Sequence, residues 1–203
     1  MAKSEPEPAV AAPAGRVLGP EFFDRDTVTV ARDLLGKVLF REVDGERMWG
    51  RLVEVEAYLG PDDLAAHSSG GRRSRRNEVM YGLPGHAYVY FTYGMHHCLN
   101  FVTRERGVPQ AVLVRALEPG PGVGRSGGPG LVCRALHIDR ELNGSPLVPP
   151  SIYVIDDGAA RRPVYATPRI GIGQQGEWTD RPLRFCWDSP HLSRPLPKVP
   201  HAG

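Results

Sequence analysis

Hydrophobic positions recur along the chain with two periods. In "DRDTVTVARDLLGK", Val28, Ala31, Leu34 and Leu35 fall on one helical face. Asp26 or Thr27 stands where a helix start is capped, and Gly36 follows as a stop. Elsewhere the period is two. "KVLFREVDGERMWGRLVEVEAYL" reads as a hairpin turning at Asp44-Gly45. In "HAYVYFTYGMHHCLN", Tyr88 and Tyr90 alternate with Val89 and Phe91, and Gly94 breaks the strand just after Tyr93. "AVLVRALEP", "YVID", "RIGIG" and "RPLRFCW" supply further strands, and "GPGLVCRALHID" a short helix opening near Pro129. Strands dominate without regular βαβ alternation. The prediction is an α+β fold: a single domain around a curved, mainly antiparallel β-sheet with a few short helices.

Composition sets the limits of that domain. A chain of 203 residues, 41% of them hydrophobic, can bury one real core. Residues 1–16 hold no aromatic residue and a single branched apolar one, Val10, so a disordered tail is expected there. Residues 189–203 read as an extended, proline-rich tail, which leaves 17–188 for the domain; "PGPGVGRSGGPG" (119–130) reads as a mobile loop. No apolar run is long enough to span a membrane, and no signal-peptide core follows the start. Cys98, Cys133 and Cys186 are far apart and form no C-x-x-C, which disfavours a disulfide scaffold, a structural zinc or an iron–sulfur cluster. A cytoplasmic protein with reduced thiols is expected.

The candidate chemistry lies on the strands. Leu52, Glu54, Glu56 and Tyr58 share one face of their strand, and Val53, Val55 and Ala57 the core face. Glu54 is expected to be solvent-exposed. Glu56 sits at the strand end, where sites are built. On "AVLVRALEP", Arg115 stands between Leu113 and Leu117 and, if buried, needs a carboxylate. Glu56 is the candidate and Glu118 points the other way; a structural salt bridge and a catalytic pair look alike at this level. His96 and His97 point to opposite faces and make a poor chelate, so no metal is expected. Three lysines (Lys3, Lys37, Lys198) stand against 22 arginines. Four of the latter, Arg72, Arg73, Arg75 and Arg76, crowd a Gly-flanked loop that is either a solvated surface or a phosphate contact. The tyrosine strand is either core or a stacking platform.

The blocks "EVEAYLGPDDLAAHSSGGRRSRRN", "YVYFTYGMHHCLN", "VLVRALEP" and "RIGIGQQGEW" with "PLRF" resemble, in order from about Leu18 to Trp187, the alkyladenine (3-methyladenine) DNA glycosylase family, the type without a helix-hairpin-helix. The resemblance implies a base-excision repair enzyme that flips alkylated or deaminated purines out of duplex DNA and hydrolyses the N-glycosidic bond. It implies Glu56 as the carboxylate that activates water, and Arg115 as the arginine holding it. Tyr58 becomes one wall of the base pocket, with His67 and Tyr90 opposite. Asn100 is implied to screen purines, the Ile170 main chain to touch the water, and Tyr93 to wedge into the emptied stack. Arg72 and Arg76 are expected on the DNA backbone. The expected partner is double-stranded DNA carrying damaged purines, bound by a monomer without cofactor, free of membranes and nucleoid-associated if bacterial. Strand cleavage through a Schiff base needs an amine, and no lysine falls in a matching block, so a monofunctional enzyme is expected. The 119–130 segment is shorter than in most members, and Leu131 replaces a lysine before the following helix, which puts one backbone contact in doubt. The competing readings are a noncatalytic binder of damaged nucleic acid using the same pocket and an RNA-binding module, the latter on fold analogy alone.

Overall fold

The computed structural model of the protein describes residues 11–197 except Tyr93; Lys3, Lys198, Tyr93 and the outer parts of both expected tails lie outside the described residues. Helix α1 (Pro20–Phe23) is one proline-opened turn. Helix α2 (Thr27–Leu34) starts on Asp26, whose carboxylate accepts from the Thr29 amide at 2.9 Å. It stops before Gly36, whose φ of 86° is the left-handed geometry that ends helices. Its buried face is Thr27, Val30, Ala31 and Leu34, so Val30 takes the inner place expected of Val28, which is only partly buried. Helix α3 spans Pro129–Ala135, so Leu131 lies inside its first turn rather than before it.

The strands are β1 (Arg16–Val17), β2 (Val38–Val43), β3 (Glu46–Tyr58), β4 (Ala87–Thr92), β5 (His96–Thr103), β6 (Gln110–Pro119), β7 (Ile152–Asp156), β8 (Tyr165–Thr167) and β9 (Arg184–Cys186). They form one curled sheet in the order β1-β7-β2-β3-β6-β5-β4, and every pairing is antiparallel. The β2–β3 turn is at Asp44-Gly45, with φ of 51° and 80°, the geometry that matches hairpin twist. Long β3 is the hub. Along one edge it pairs first with β2 and then, at Glu54–Glu56, with β9; β6 runs along its other edge, and β8 lies outside β9.

Alternation fixes which face does what. Val53, Val55 and Ala57 of β3, Val112 and Val114 of β6, Leu99 and Phe101 of β5, and Ala87 and Val89 of β4 all enter the main core, with α2 and α3 packed on it. A one-residue slip would send Glu54 and Glu56 into that core, and each large apolar side chain moved out would forfeit about 1.5–3 kcal/mol. The opposite face is therefore specified as strictly as the core itself.

Four expectations are corrected. "RIGIG" is not a strand but a loop with positive φ at Gly171 and Gly173. The 119–130 segment is tied down: buried Ser126 donates to the Leu117 carbonyl at 2.9 Å, and its own carbonyl accepts from the Leu117 amide. Residues 189–197 do not trail away; Ser189 is buried, and Ser193 and Arg194 bond to the sheet. Arg16, assigned to the disordered tail, is paired with Asp156 in β1. Among the described residues no helix is long and apolar enough to cross a membrane.

Candidate active site

Glu54, Glu56 and Tyr58 of β3, Leu113 and Arg115 of β6, Cys98 and Asn100 of β5, and Tyr88 and Tyr90 of β4 occupy the face opposite the main core. All but the two glutamates line one cavity of about 380 Å³, which His67, Ala65, Met80 and the Ile170–Ile172 loop complete. Period-two patterning on four neighbouring strands thus collects the carboxylates, the arginine and the aromatic rings on one side of the sheet. The strict alternation breaks at Glu54, where register shifts leave Val53 and Arg115 unpaired between β3 and β6.

Glu56 is fully buried. The Ile170 amide donates to its Oε1 at 2.8 Å; the Tyr58 hydroxyl and Arg115 Nη1 donate to its Oε2 at 3.0 and 3.3 Å. Burial raises its pKa above the usual carboxylate range, and Arg115, the Ile170 N–H and Tyr58 pull the other way. Burial and the neighbouring Glu56 push the Tyr58 phenol well up, which keeps its proton available for donation. Arg115 meets Glu56 and not Glu118, which is bound by Arg162 at 2.8 Å.

His67 and Tyr90 meet edge to face at 4.5 Å, and His67 Nδ1 lies 2.8 Å from the Tyr88 hydroxyl. Burial, followed by Arg76 and Arg72, lowers the His67 pKa to about 4. The imidazole is therefore neutral at neutral pH. Burial raises the pKa values of Tyr88 and Tyr90, so the aromatic wall carries no charge of its own. Asn100 Nδ2 donates to the Tyr88 carbonyl at 3.1 Å, which fixes its amide in the cavity. His97 packs on Phe91 at 4.9 Å, and His96 lies against Gly130.

The basic loop is exposed but ordered. Buried Asn77 donates to the His67 and Arg72 carbonyls at 3.0 and 2.8 Å and accepts from the Ser74 amide at 2.7 Å. Arg73 is occupied by Glu78, whereas Arg76 reaches over the Tyr90 ring at 5.3 Å, beside the cavity. If Arg72 and Arg76 neutralise phosphates, the affinity for undamaged duplex falls linearly with log salt, and replacing both with Ala reduces the slope by about 2. Fluorescence anisotropy over a salt series measures this; an unchanged slope returns the loop to a solvated surface.

Several residues of the site escaped the sequence reading. Glu54, expected to be exposed, is fully buried because β9 and residues 189–194 cover it. It accepts from Arg115 and Arg184. Asp63 and Arg169 form a fully buried bidentate pair, at 2.5 and 2.8 Å. Asp63 also accepts from the Leu59 and Ala65 amides, and the Arg169 guanidinium lies 4.7 Å over the Tyr58 ring, behind the cavity wall. Nothing in the local pattern pairs positions 106 residues apart. Cys98 was detectable, since it lies one strand repeat before Asn100 on the same face. Lys37, the one lysine among the described residues, is bound by Asp156 at 2.7 Å and does not line the cavity.

The family pattern described as methylpurine-DNA glycosylase matches residues 21–190. A protein of Desulfitobacterium hafniense is 46% identical over 198 residues, covering 87% of this chain and 98% of its own. One from Methanocella arvoryzae is 45% identical, covering 89% and 98%, and one from Legionella pneumophila 46%, covering 88% and 99%. All three carry the provisional name 3-methyladenine DNA glycosylase.

Proposed function

The chain belongs to the methylpurine-DNA glycosylase family, and on that premise we propose that it excises alkylated and deaminated purines from duplex DNA: 3-methyladenine, 7-methylguanine, hypoxanthine and ethenoadenine. The nucleotide is flipped into the cavity and its N-glycosidic bond is hydrolysed without cutting the strand. The observation that carries this reading is the Glu56 carboxylate, whose three hydrogen-bond donors all line a single aromatic cavity.

A base inside the stack is out of reach of a nucleophile, so it is extruded at a cost of a few kcal/mol. Tyr58 on one side, and His67 with Tyr90 on the other, then hold it; stacking contributes roughly 1–3 kcal/mol per base. Alkylation at N3 or N7 makes the purine a cation, which leaves more readily and is attracted to aromatic faces by about 0.5–2 kcal/mol. A neutral imidazole at His67 adds no repulsion to such a base. Departure leaves an oxocarbenium-like sugar. Ionised Glu56 stabilises it and takes a proton from the attacking water, while Arg115 and the Ile170 amide hold the carboxylate. No Asp or Glu is among the described lining residues, so hypoxanthine and ethenoadenine take their proton from a donor other than a lining carboxylic acid.

The test is incubation with a duplex holding one hypoxanthine or 1,N6-ethenoadenine, then alkali, alongside release of 3-methyladenine from methylated DNA. Alkali-dependent strand breaks are expected. Retention of the lesion without breaks, and no base release, is what a noncatalytic binder gives and overturns the reading. No lysine is among the described lining residues, which supports a monofunctional enzyme, for which borohydride traps no protein–DNA adduct.

Tyr93 follows the last residue of β4, and we assign it the wedge. Tyr93→Ala then lowers the flipping equilibrium. Excision falls most for a well-paired lesion and less opposite a mismatch or in single-stranded DNA, where little must be unpaired. Tyr58→Ala removes a wall that acts after flipping, so its loss persists in every context. Equal losses for Tyr93→Ala in all contexts, with a large fall in melting temperature, would make Tyr93 a core residue instead.

A further inference from the structure

Glu54 is as buried as Glu56 and two residues before it, and like Glu56 it does not itself line the cavity. It has four donors: Arg184 Nε at 2.7 Å, Arg115 Nε at 3.2 Å, and the amide and hydroxyl of Ser193, both at 2.6 Å. Half of its hydrogen bonding therefore comes from one residue of the segment that closes over β3. The Ser193 hydroxyl has a single proton, which goes to Glu54. Its oxygen in turn accepts from Arg115, with Nε and Nη2 both at 3.3 Å. Arg115 is thus shared: one edge faces Glu54 and Ser193, and Nη1 faces Glu56.

We propose that residues 189–194 are a strap that completes the active site, and that Ser193 is a positioning residue which saturates Glu54 and anchors Arg115 so that Nη1 remains on Glu56. This rests on Glu56 being the water-activating group. Without the hydroxyl, Glu54 is a buried carboxylate short of one donor; Arg184 is already close at 2.7 Å, so the cation with room to draw nearer is Arg115, at 3.2 Å. Drawn towards Glu54, the guanidinium leaves Glu56 less well paired. The groups facing Glu56 are Glu54 and Tyr58 on its own strand, Tyr90 on β4, Cys98 on β5, Arg115 on β6 and the Ile170 N–H, with Arg184 of β9 beside it in register. Of these, Arg115 is the one whose hold depends on Ser193 directly. The sign follows: loss of positive charge beside a carboxylate raises its pKa, so the protonated, inactive form persists to higher pH.

The experiment is single-turnover excision of a cationic lesion across pH for wild type, Ser193→Ala and Ser193→Thr. In Ser193→Ala the acid limb moves up by about 0.5–1 pH unit, a loss of about three- to tenfold on the acid side that fades at higher pH. Lesion binding is unchanged, and Ser193→Thr, which keeps the hydroxyl, restores the wild-type limb. A limb in Ser193→Ala that coincides with wild type overturns the proposal, whatever happens to the melting temperature. If the alanine variant does not fold, Ser193→Cys is read in the same way. Wild-type excision tests the role of the enzyme, and the displacement between variants tests the strap, so the two fail separately.

Discussion

Glu56→Gln is expected to lower excision by about 10²-fold or more while lesion binding is retained. The amide keeps the shape and can still accept from the Ile170 N–H, but it cannot take a proton from water. The fold has little reason to suffer. The cost of burying a charge disappears with the charge, and Arg115 keeps Glu54. The wild-type pH profile carries the complementary sign. In the proposed mechanism Glu56 works ionised, and burial raises its pKa, so activity is expected to fall as pH drops through a value above that of an ordinary glutamate. Stability runs the other way: the folded state binds this proton more tightly than the unfolded chain, so the contribution of Glu56 to stability declines as pH rises through the same range. Single-turnover kinetics with a binding assay measure both halves. A Gln variant excising near the wild-type rate removes Glu56 from the role of base.

Asp63→Ala is expected to cost about 3–5 kcal/mol of stability, because it leaves the Arg169 guanidinium buried without its carboxylate. In a domain of this size that corresponds to a melting temperature lower by roughly 6–20 °C. The double variant Asp63→Ala with Arg169→Met removes both charges and regains much of the loss. Excision is not regained with it. Asp63 ties the Leu59–Ala65 turn to the Arg169 loop, and Arg169 backs the Tyr58 ring. Thermal melting and excision rates therefore separate in the double variant. Were activity to return together with stability, the pair would serve the fold alone.

Part of the cavity wall was legible because one physical rule governs it. Residues two apart on a strand share a face, so Glu56 and Tyr58 could be placed opposite Val53, Val55 and Ala57, and Arg115 could be matched to Glu56, before any contact was known; Tyr90 and Asn100 entered the pocket only through the family resemblance. The Asp26 cap and the Asp44-Gly45 turn were equally local. Glu54 was misjudged for the opposite reason. Its pattern is that of an exposed position, and the cover that buries it, β9 and Ser193, arrives 130 and 139 residues later. "RIGIG" has strand composition, but its glycines take positive φ and it becomes the loop that offers the Ile170 amide to Glu56. The Asp63–Arg169 pair has no signature in either of its neighbourhoods.

The separations around Glu54 also bear on how the protein is made. Its partners lie 61, 130 and 139 residues further along the chain, so none of its bonds can form locally. Loop-closure entropy delays such contacts in folding, and synthesis adds an order of its own, with earlier segments emerging first. A nascent chain can build the β2–β3 hairpin and the tyrosine strands while Glu54 still lacks Arg184 and Ser193. The hydrogen-bond network around Glu54 is therefore complete only once Ser193 has left the ribosome.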